Sequence, residues 1–570
     1  MWAREDNRDG YQELIKNELF PKILRMCTAD NGKLQPGDIS ELMAIMYRDQ
    51  YVCIYEKPET WFRFSKHHHR WISTEPVTIR KEISGNVYSE FKDVHRIYSE
   101  RATGEDDDKN HEIAGKVWTA MCKLRNPTFK GHVVHELMEP FYDDERKFFD
   151  TLNEKKHLIG LENGTYDLNT DTFRDGRPDD RITLNTKCIY PNMTDDSSEE
   201  WVMRRKTEIE SFISKILPNR RVRTFVMTLL ASFLSGDTNE EHFHIWTGSG
   251  GNGKSKLLEL FESAIGEYAC KLPVSLLTGK RQASSGATPE LANLKGRRFA
   301  CLQEPSEGSR IDAGLMKELT GGDKIYARAL FKEPIEFKPQ FKLILACNDP
   351  PELPKGDGGV WRRVKMVNFP AKFKSVDELT TDDGHWNADK TIWTPKDAMK
   401  PVFPADESID QKFKEWKDVF LWMLLEQYKV YKKDGLPIPP EVKATTNDYR
   451  QTQFKLGEFI KDKIVIDTDC MEQHTIAEIY DQYKDWYMES QGGNKKEMLK
   501  RQDVAQYMES YFGEHLVSPG TYTHIRLNED PHRAMGGGGF DTTSRFSGHV
   551  SIVPSDEASD DDIEGLEDET

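Results

Sequence analysis

Residues 242–261 read HFHIWTGSGGNGKSKLLELF, and this stretch decides the fold class. An apolar run from His242 to Thr247 leads into Gly248, Ser249, Gly250, Gly251, Asn252, Gly253, Lys254 and Ser255, which match GxxxxGK[ST]. Leu257, Leu258, Leu260 and Phe261 follow at helical spacing. A strand, a glycine turn and a helix in that order make a phosphate cradle, because backbone N–H groups converge on phosphate oxygens only where no side chain stands in the way. Lys254 is expected to reach the β- and γ-phosphates and Ser255 to ligate Mg²⁺, so the ligands implied are ATP and Mg²⁺.

Outward from the cradle, residues 241–370 alternate short apolar strands with helices, the pattern of an α/β domain with a parallel sheet. The run Arg298 to Gln303 is such a strand and delivers Glu304 at its end, where a carboxylate can polarise water and help hold the metal. Gln303 occupies the place where an acid often precedes it; an amide can bond a metal-bound water but carries no charge. FKLILACN is a second apolar strand and ends in Asn348, placed to sense the γ-phosphate or position water. GDGGVWRR then presents Arg362 and Arg363 after a glycine turn. A guanidinium reaching a neighbouring subunit's nucleotide stabilises charge developing in the transition state.

Between those strands lies KELTGGDKIYARALFKEPIEFKPQ. Lys324 and Arg328 fall on one strand face, with Phe331 and Lys332 near the tip of an expected hairpin. A cationic, partly apolar tip suits the backbone of single-stranded nucleic acid, which offers phosphates in a row.

The chain has 570 residues, enough for three or four domains at about 150 residues each. Expected divisions are an α+β region over 1–195, the P-loop ATPase domain with its leading helices over 196–373, and a polar linker with an amphipathic helix over 374–440. A small helical or winged-helix domain follows over 441–530, then a glycine-rich tether and acidic tail over 531–570. Trp61, Phe62, Phe64 and Trp71 flank a polar turn and predict a small hairpin. His67, His68 and His69 fill that turn; adjacent strand residues face opposite ways, so the three cannot converge on one ion. The cluster Glu105 to Asp108 reads as a surface loop. Residues 371–408 read as polar and irregular, and Phe413, Trp416, Phe420, Met423, Leu424 and Tyr428 mark an amphipathic helix after them.

Eight scattered cysteines lack the paired spacing of zinc sites, and the charged opening MWAREDNRDG is unlike a secretion signal. No stretch approaches the roughly 20 apolar residues that cross a bilayer, so neither secretion nor a membrane partner is expected. The net charge is −18, but nine carboxylates lie within Asp556–Glu569, so half of the excess sits in the tail. Acidity therefore does not exclude a local cationic surface.

Taken in order, GSGGNGKS, LQE, ELTGGDKIYARALFKEP, LILACN and GGVWRR resemble the motifs of superfamily 3 helicases. More narrowly, the chain resembles the poxvirus-type primase–helicase family of nucleocytoplasmic large DNA viruses. WFRFSKHHHRW and LIGLENGTYDL are similar to that family's region before the helicase. The resemblance implies an AAA+ type P-loop core with an α+β N-terminal region and a small, mostly helical C-terminal domain. It also implies a homohexameric ring that moves 3′ to 5′ along one strand of forked DNA, at a viral replication site in the host cell. Carried over by position, Lys254 and Ser255 belong to the nucleotide motif, Glu304 to the catalytic acid, Asn348 to the sensor and Lys332 to the DNA-tracking hairpin. The arginine finger is Arg362 or Arg363. A primase segment with paired metal-binding aspartates is not recognisable, so a separate primase or other replisome proteins are the expected partners. The competing readings are a P-loop phosphotransferase and a non-hydrolysing DNA-binding scaffold.

Overall fold

The computed structural model describes residues 18–527 except 30–32, 57–58, 103–106, 192–195, 280–286, 307–308, 331–333, 355–356, 454–455, 468–469, 491–497 and 513–514. Two compact units divide the chain, with the boundary between Gln453 and Phe454.

Five parallel strands centre the first unit: β1 Phe243–Thr247, β2 Ala269–Leu272, β3 Phe299–Gln303, β4 Lys342–Ala346 and β5 Val364–Asn368. Their order is β5-β1-β4-β3-β2. Ala346 stands opposite both Trp246 and Gln303, and Asn368 opposite Thr247, so the carboxyl ends of β1, β3 and β4 align along one edge of the sheet. Every residue of β1 and β4 is buried. A parallel sheet covered on both faces selects such continuous apolar runs.

The helices Arg220–Ser232, Lys254–Ile265 and Ile409–Asp434 pack with the sheet into one apolar core. Phe299 of β3 sits between Phe233 and Phe261, at ring separations of 5.4 and 5.0 Å. Along Ile409–Asp434 the apolar residues at spacings of three and four are buried as the pattern predicts, and truncating Phe420, fully buried, would cost ~3–5 kcal/mol. That helix stops where Gly435 takes a φ of 69°, its N–H bonded to the Tyr431 carbonyl at 2.8 Å.

Before the sheet, Tyr51–Glu56, Glu59–Ser65 and Arg70–Thr74 form an antiparallel sheet, the last two being the expected hairpin, with Trp61 opposite Thr74. His67–His69 lie in its turn, and among the described residues no group of three His, Cys, Asp or Glu could hold a metal ion. Leu158–Leu161, Gly164–Asp167 and Thr172–Arg174 make a meander. It is tied to the five-stranded parallel sheet by the Tyr268 hydroxyl, just before β2, which accepts from the Gly160 N–H at 2.9 Å.

Several expectations change. Asp108 lies in the first turn of the helix Asp107–Arg125 instead of in a loop, a place where an acid suits the positive end of a helix. Glu105 and Asp106 lie outside the described residues. Within 371–408, Lys372–Lys374 pairs with Val402–Pro404 and Gly384–Trp386 with Trp393–Pro395, so the segment holds short β-ladders. The helix Pro440–Gln453 belongs to the first unit and not to the C-terminal one: Thr446 Oγ1 accepts from the Met366 N–H at 2.9 Å, and the buried Tyr449 hydroxyl donates to the Pro351 carbonyl.

The second unit contains the helices Leu456–Lys463, Ile476–Ser490 and Arg501–Phe512 with short antiparallel strands, around Phe459, Ile479, Tyr483, Val504, Met508 and Tyr522. The glycine run 536–539 and the acidic tail lie outside the described residues. No described helix is long and apolar enough to cross a membrane, and no disulfide links the eight cysteines.

Candidate nucleotide-binding site

After Thr247 the chain turns through 248–253 and enters the helix Lys254–Ile265. Gly250, Gly251 and Gly253 take φ values of 80°, 59° and 80°, a region that favours glycine. At Gly248 the constraint is space: a Cβ would meet Asn252 Nδ2 at 2.0 Å and the Phe369 carbonyl at 2.7 Å. The turn thus presents bare backbone at the positive end of a helix, as a phosphate cradle must.

Lys254 is 5% exposed, and its Nζ donates to the Gly248 carbonyl and to Asn348 Oδ1, both at 3.1 Å. Burial holds its pKa below the ordinary lysine value. The ammonium is thus parked on two neutral oxygens, and an arriving anion would satisfy it better. Asn348 follows β4 directly after Cys347, whose thiol burial pushes up to about 12. That thiol is buried and stays protonated at neutral pH.

Gln303 and Glu304, at the end of β3, are both exposed. Glu304 has a φ of 54°, and its N–H donates to the Ala346 carbonyl at 3.1 Å. A non-glycine residue held in the left-handed region costs ~1–3 kcal/mol, a strain that recurs at functional positions. Gly248 borders and Gly250, Gly251, Asn252, Gly253, Lys254, Ser255, Gln303, Glu304 and Asn348 line one open cleft of about 260 Å³. Sequence positions separated by up to a hundred residues are brought together here by the aligned strand ends; Ser255, exposed at the helix start, faces the same space.

Arg362 and Arg363 are elsewhere. They end the short six-residue helix Gly358–Arg363, not a glycine loop, whose N-terminus is capped by Asp357 accepting from the Gly359 N–H at 2.9 Å. β5 begins immediately after them at Val364, opposite Phe243, the first residue of β1. The arginines therefore stand at the amino ends of the strands and the cleft at the carboxyl ends, with five residues or ~16 Å of strand between. Arg363 is 8% exposed and donates to the Gly359 carbonyl at 3.1 Å and to Glu241 Oε2 at 2.6 Å. The Arg362 side chain is 68% exposed and reaches the same oxygen at 3.3 Å.

Ile325–Ala327 and Ile335–Phe337 form the expected hairpin. Lys324 and Arg328 are exposed on it, and Lys324 pairs with Glu336 at 2.6 Å. Phe331 and Lys332 lie outside the described residues.

A larger cavity of about 700 Å³ opens on the other side of Gly251 and Gly253, and nothing in the sequence pointed to it. Phe212, Lys215, Phe373 and Trp416 line it; Phe212 and Trp416 are 5.7 Å apart, and the Phe373 N–H donates to the Gly251 carbonyl at 2.7 Å. Its walls come from before and after the sheet, and each aromatic residue reads on its own as ordinary core. The cavity shares Gly251, Gly253 and Lys256 with the cleft that Lys254 and Glu304 line.

A family described as "D5 N terminal like" matches residues 40–218, and a family of unknown function, DUF5906, matches residues 246–363. The chain is 36% identical over 86% of its length to "Putative helicase L207/L206" of Acanthamoeba polyphaga mimivirus, covering 49% of that protein. It is 27% identical over 79% of its length to "Putative helicase 022R" of Frog virus 3, covering 54% of it. It is 22% identical over 85% of its length to "Putative primase C962R" of African swine fever virus, covering 50%. The chain thus spans about half the length of each of these relatives.

Proposed function

The chain belongs to the D5-type primase–helicase family of large DNA viruses, and from that premise we propose that it is an ATP-driven motor on single-stranded DNA. Its core is of AAA+ type and works in a homohexameric ring, moving 3′ to 5′ on forked DNA at a viral replication site, with a primase or other replisome proteins as partners.

The observation that carries this reading is the polarity of the sheet. The cradle and Glu304 lie at the carboxyl ends of the strands, and an exposed arginine lies at the amino end of β5. One chain cannot bring Arg362 to its own cleft across the length of the sheet, whereas the cleft of a second copy can receive it. A small-molecule phosphotransferase has no use for such an arrangement.

The chemistry follows from the residues in place. The cradle glycines and Lys254 bind the phosphates of ATP, and Lys254 exchanges its contact with Asn348 for phosphate oxygen. The freed Asn348 amide orients a water. As that water's oxygen attacks the γ-phosphorus, Glu304 accepts its proton, and the bond to the bridging oxygen breaks with its electron pair leaving on ADP. General bases of this kind contribute roughly 10²- to 10⁴-fold. Arg362 of the adjoining copy stabilises the charge spreading over the transferred group. Mg²⁺, when bound through Ser255 Oγ with Glu304 close by, would neutralise phosphate charge. The base lies in the aromatic cavity beyond Gly251 and Gly253, against Phe212, Phe373 and Trp416.

The decisive experiment measures ATP hydrolysis with and without single-stranded DNA, alongside displacement of strands from duplexes bearing 3′ or 5′ overhangs. DNA-stimulated hydrolysis and displacement from the 3′ overhang are expected. Hydrolysis indifferent to DNA, or phosphate transfer stimulated by a small acceptor, would overturn the proposal.

A further inference from the structure

Across the hairpin the first strand alternates without exception: Lys324 exposed, Ile325 buried, Tyr326 exposed, Ala327 buried, Arg328 exposed. Ile325 and Ala327 are 0% exposed and Phe337 on the partner strand is 3%, so the inner face is fixed to the core. A one-residue slip of register would bury three polar side chains, and the outer face is therefore firmly set. On that face Tyr326 is 63% exposed, one of the most exposed large side chains described. It stands between two cations, each about 6.7 Å away along the strand. Directly across is Glu336, and Lys338, two residues on, is exposed too.

The sign of this face runs against the rest of the molecule. Exposed on or beside the two strands are Lys324, Arg328 and Lys338 against Asp323 and Glu336, on a chain whose net charge is −18. An aromatic ring left in water on a rigid ribbon, flanked by cations at even spacing, has the chemistry of a stacking platform for an unpaired base.

We propose that Tyr326 stacks on a base of single-stranded DNA, with Arg328 and Lys338 on the adjoining phosphates and Lys324 exchanging Glu336 for phosphate. This rests on the reading of the chain as a single-stranded DNA motor and adds to it a contact on the flank of the hairpin, away from its tip. Since every base has a π face, the contact is tolerant of sequence but requires a base.

The test uses the full chain and fluorescent oligothymidylate, read by anisotropy across a salt series and repeated with an oligonucleotide of abasic sites. Tyr326→Ala should weaken binding about 5- to 150-fold, the range of one base–aromatic stack, with the salt dependence unchanged. Tyr326→Phe should stay within about 2-fold of wild type. Lys338→Ala should instead lower the salt slope by about 0.7, one phosphate's share on a single strand. On the abasic strand wild type should fall to the level of Tyr326→Ala. Equal thermal melting of the variants establishes that the fold is intact. Wild-type affinity in Tyr326→Ala, a loss in Tyr326→Phe as large as in alanine, or an undiminished alanine penalty on the abasic strand would each overturn the stacking role while leaving the motor standing. If wild type bound no single-stranded DNA, the motor itself would fall, and this contact with it.

Discussion

The Arg363 guanidinium donates to Glu241 at 2.6 Å and is buried, at the end of the sheet opposite the phosphate cradle. It also holds the Gly359 carbonyl, so it braces the turn that presents Arg362. Arg363→Ala should therefore lower stability by ~1–3 kcal/mol, the cost of leaving buried partners unmatched, seen as a lower urea midpoint. Arg362→Ala should melt like wild type yet lose about 10³-fold or more in ATP hydrolysis. Mixing Arg362→Ala with Lys254→Ala chains should restore part of the activity, because one copy supplies the cleft and the other the arginine. A mixture as inactive as its components would refute action between copies.

Glu304→Gln should bind ATP with near wild-type affinity in a filter or calorimetric assay while hydrolysis drops roughly 10²- to 10⁴-fold. Hydrolysis at the wild-type rate would remove Glu304 from the reaction.

Phe373→Ala should weaken ATP binding about 2- to 10-fold, the worth of one aromatic contact, with little change for inorganic tripolyphosphate, which has no base. Equal losses for the two ligands would mean that the aromatic cavity is not the base site.

Acid should destabilise the fold through the start of β1. Burial, with Lys365 adding to it, holds the His242 imidazole down to about 4 against an ordinary 6.5, and burial keeps His244 well below its ordinary value as well. Between those pH values the unfolded chain takes up a proton that the folded chain refuses. The contribution is thus fully present above pH 6.5 and is lost as pH falls towards 4, by up to about 1.4 kcal/mol per pH unit per histidine. Urea unfolding at pH 7 and pH 5 should show the loss, and His242→Asn should reduce it. The same loss in that variant would place the acid sensitivity elsewhere.

Much of this architecture was legible before any coordinates. The cradle, β3, β4 and the long helix Ile409–Asp434 announce themselves because apolar periodicity and glycine placement are local properties of a chain. β2 was not legible: Ala269 and Cys270 are half-buried and Lys271 exposed, the weak signature of an edge strand. Nor could spacing assign the helix Pro440–Gln453 to a unit, since an apolar stripe tells that a face is covered but not by what. The different surroundings of Arg362 and Arg363 involve Glu241, more than a hundred residues earlier. Tyr326 is not legible in the sequence, because a lone tyrosine among charges carries no meaning until the strand's inner and outer faces are known.

Gly253 is the partition between the phosphate cleft and the aromatic cavity. Its φ is 80°, and a methyl group there would stand 2.8 Å from Cγ1 of Ile216, with Phe373 behind. Neither backbone nor neighbours leave room for a larger residue. A small-molecule inhibitor that bridged the two chambers would lean on a position where resistance cannot easily arise, because the substitutions that would expel the drug would also deform the cradle.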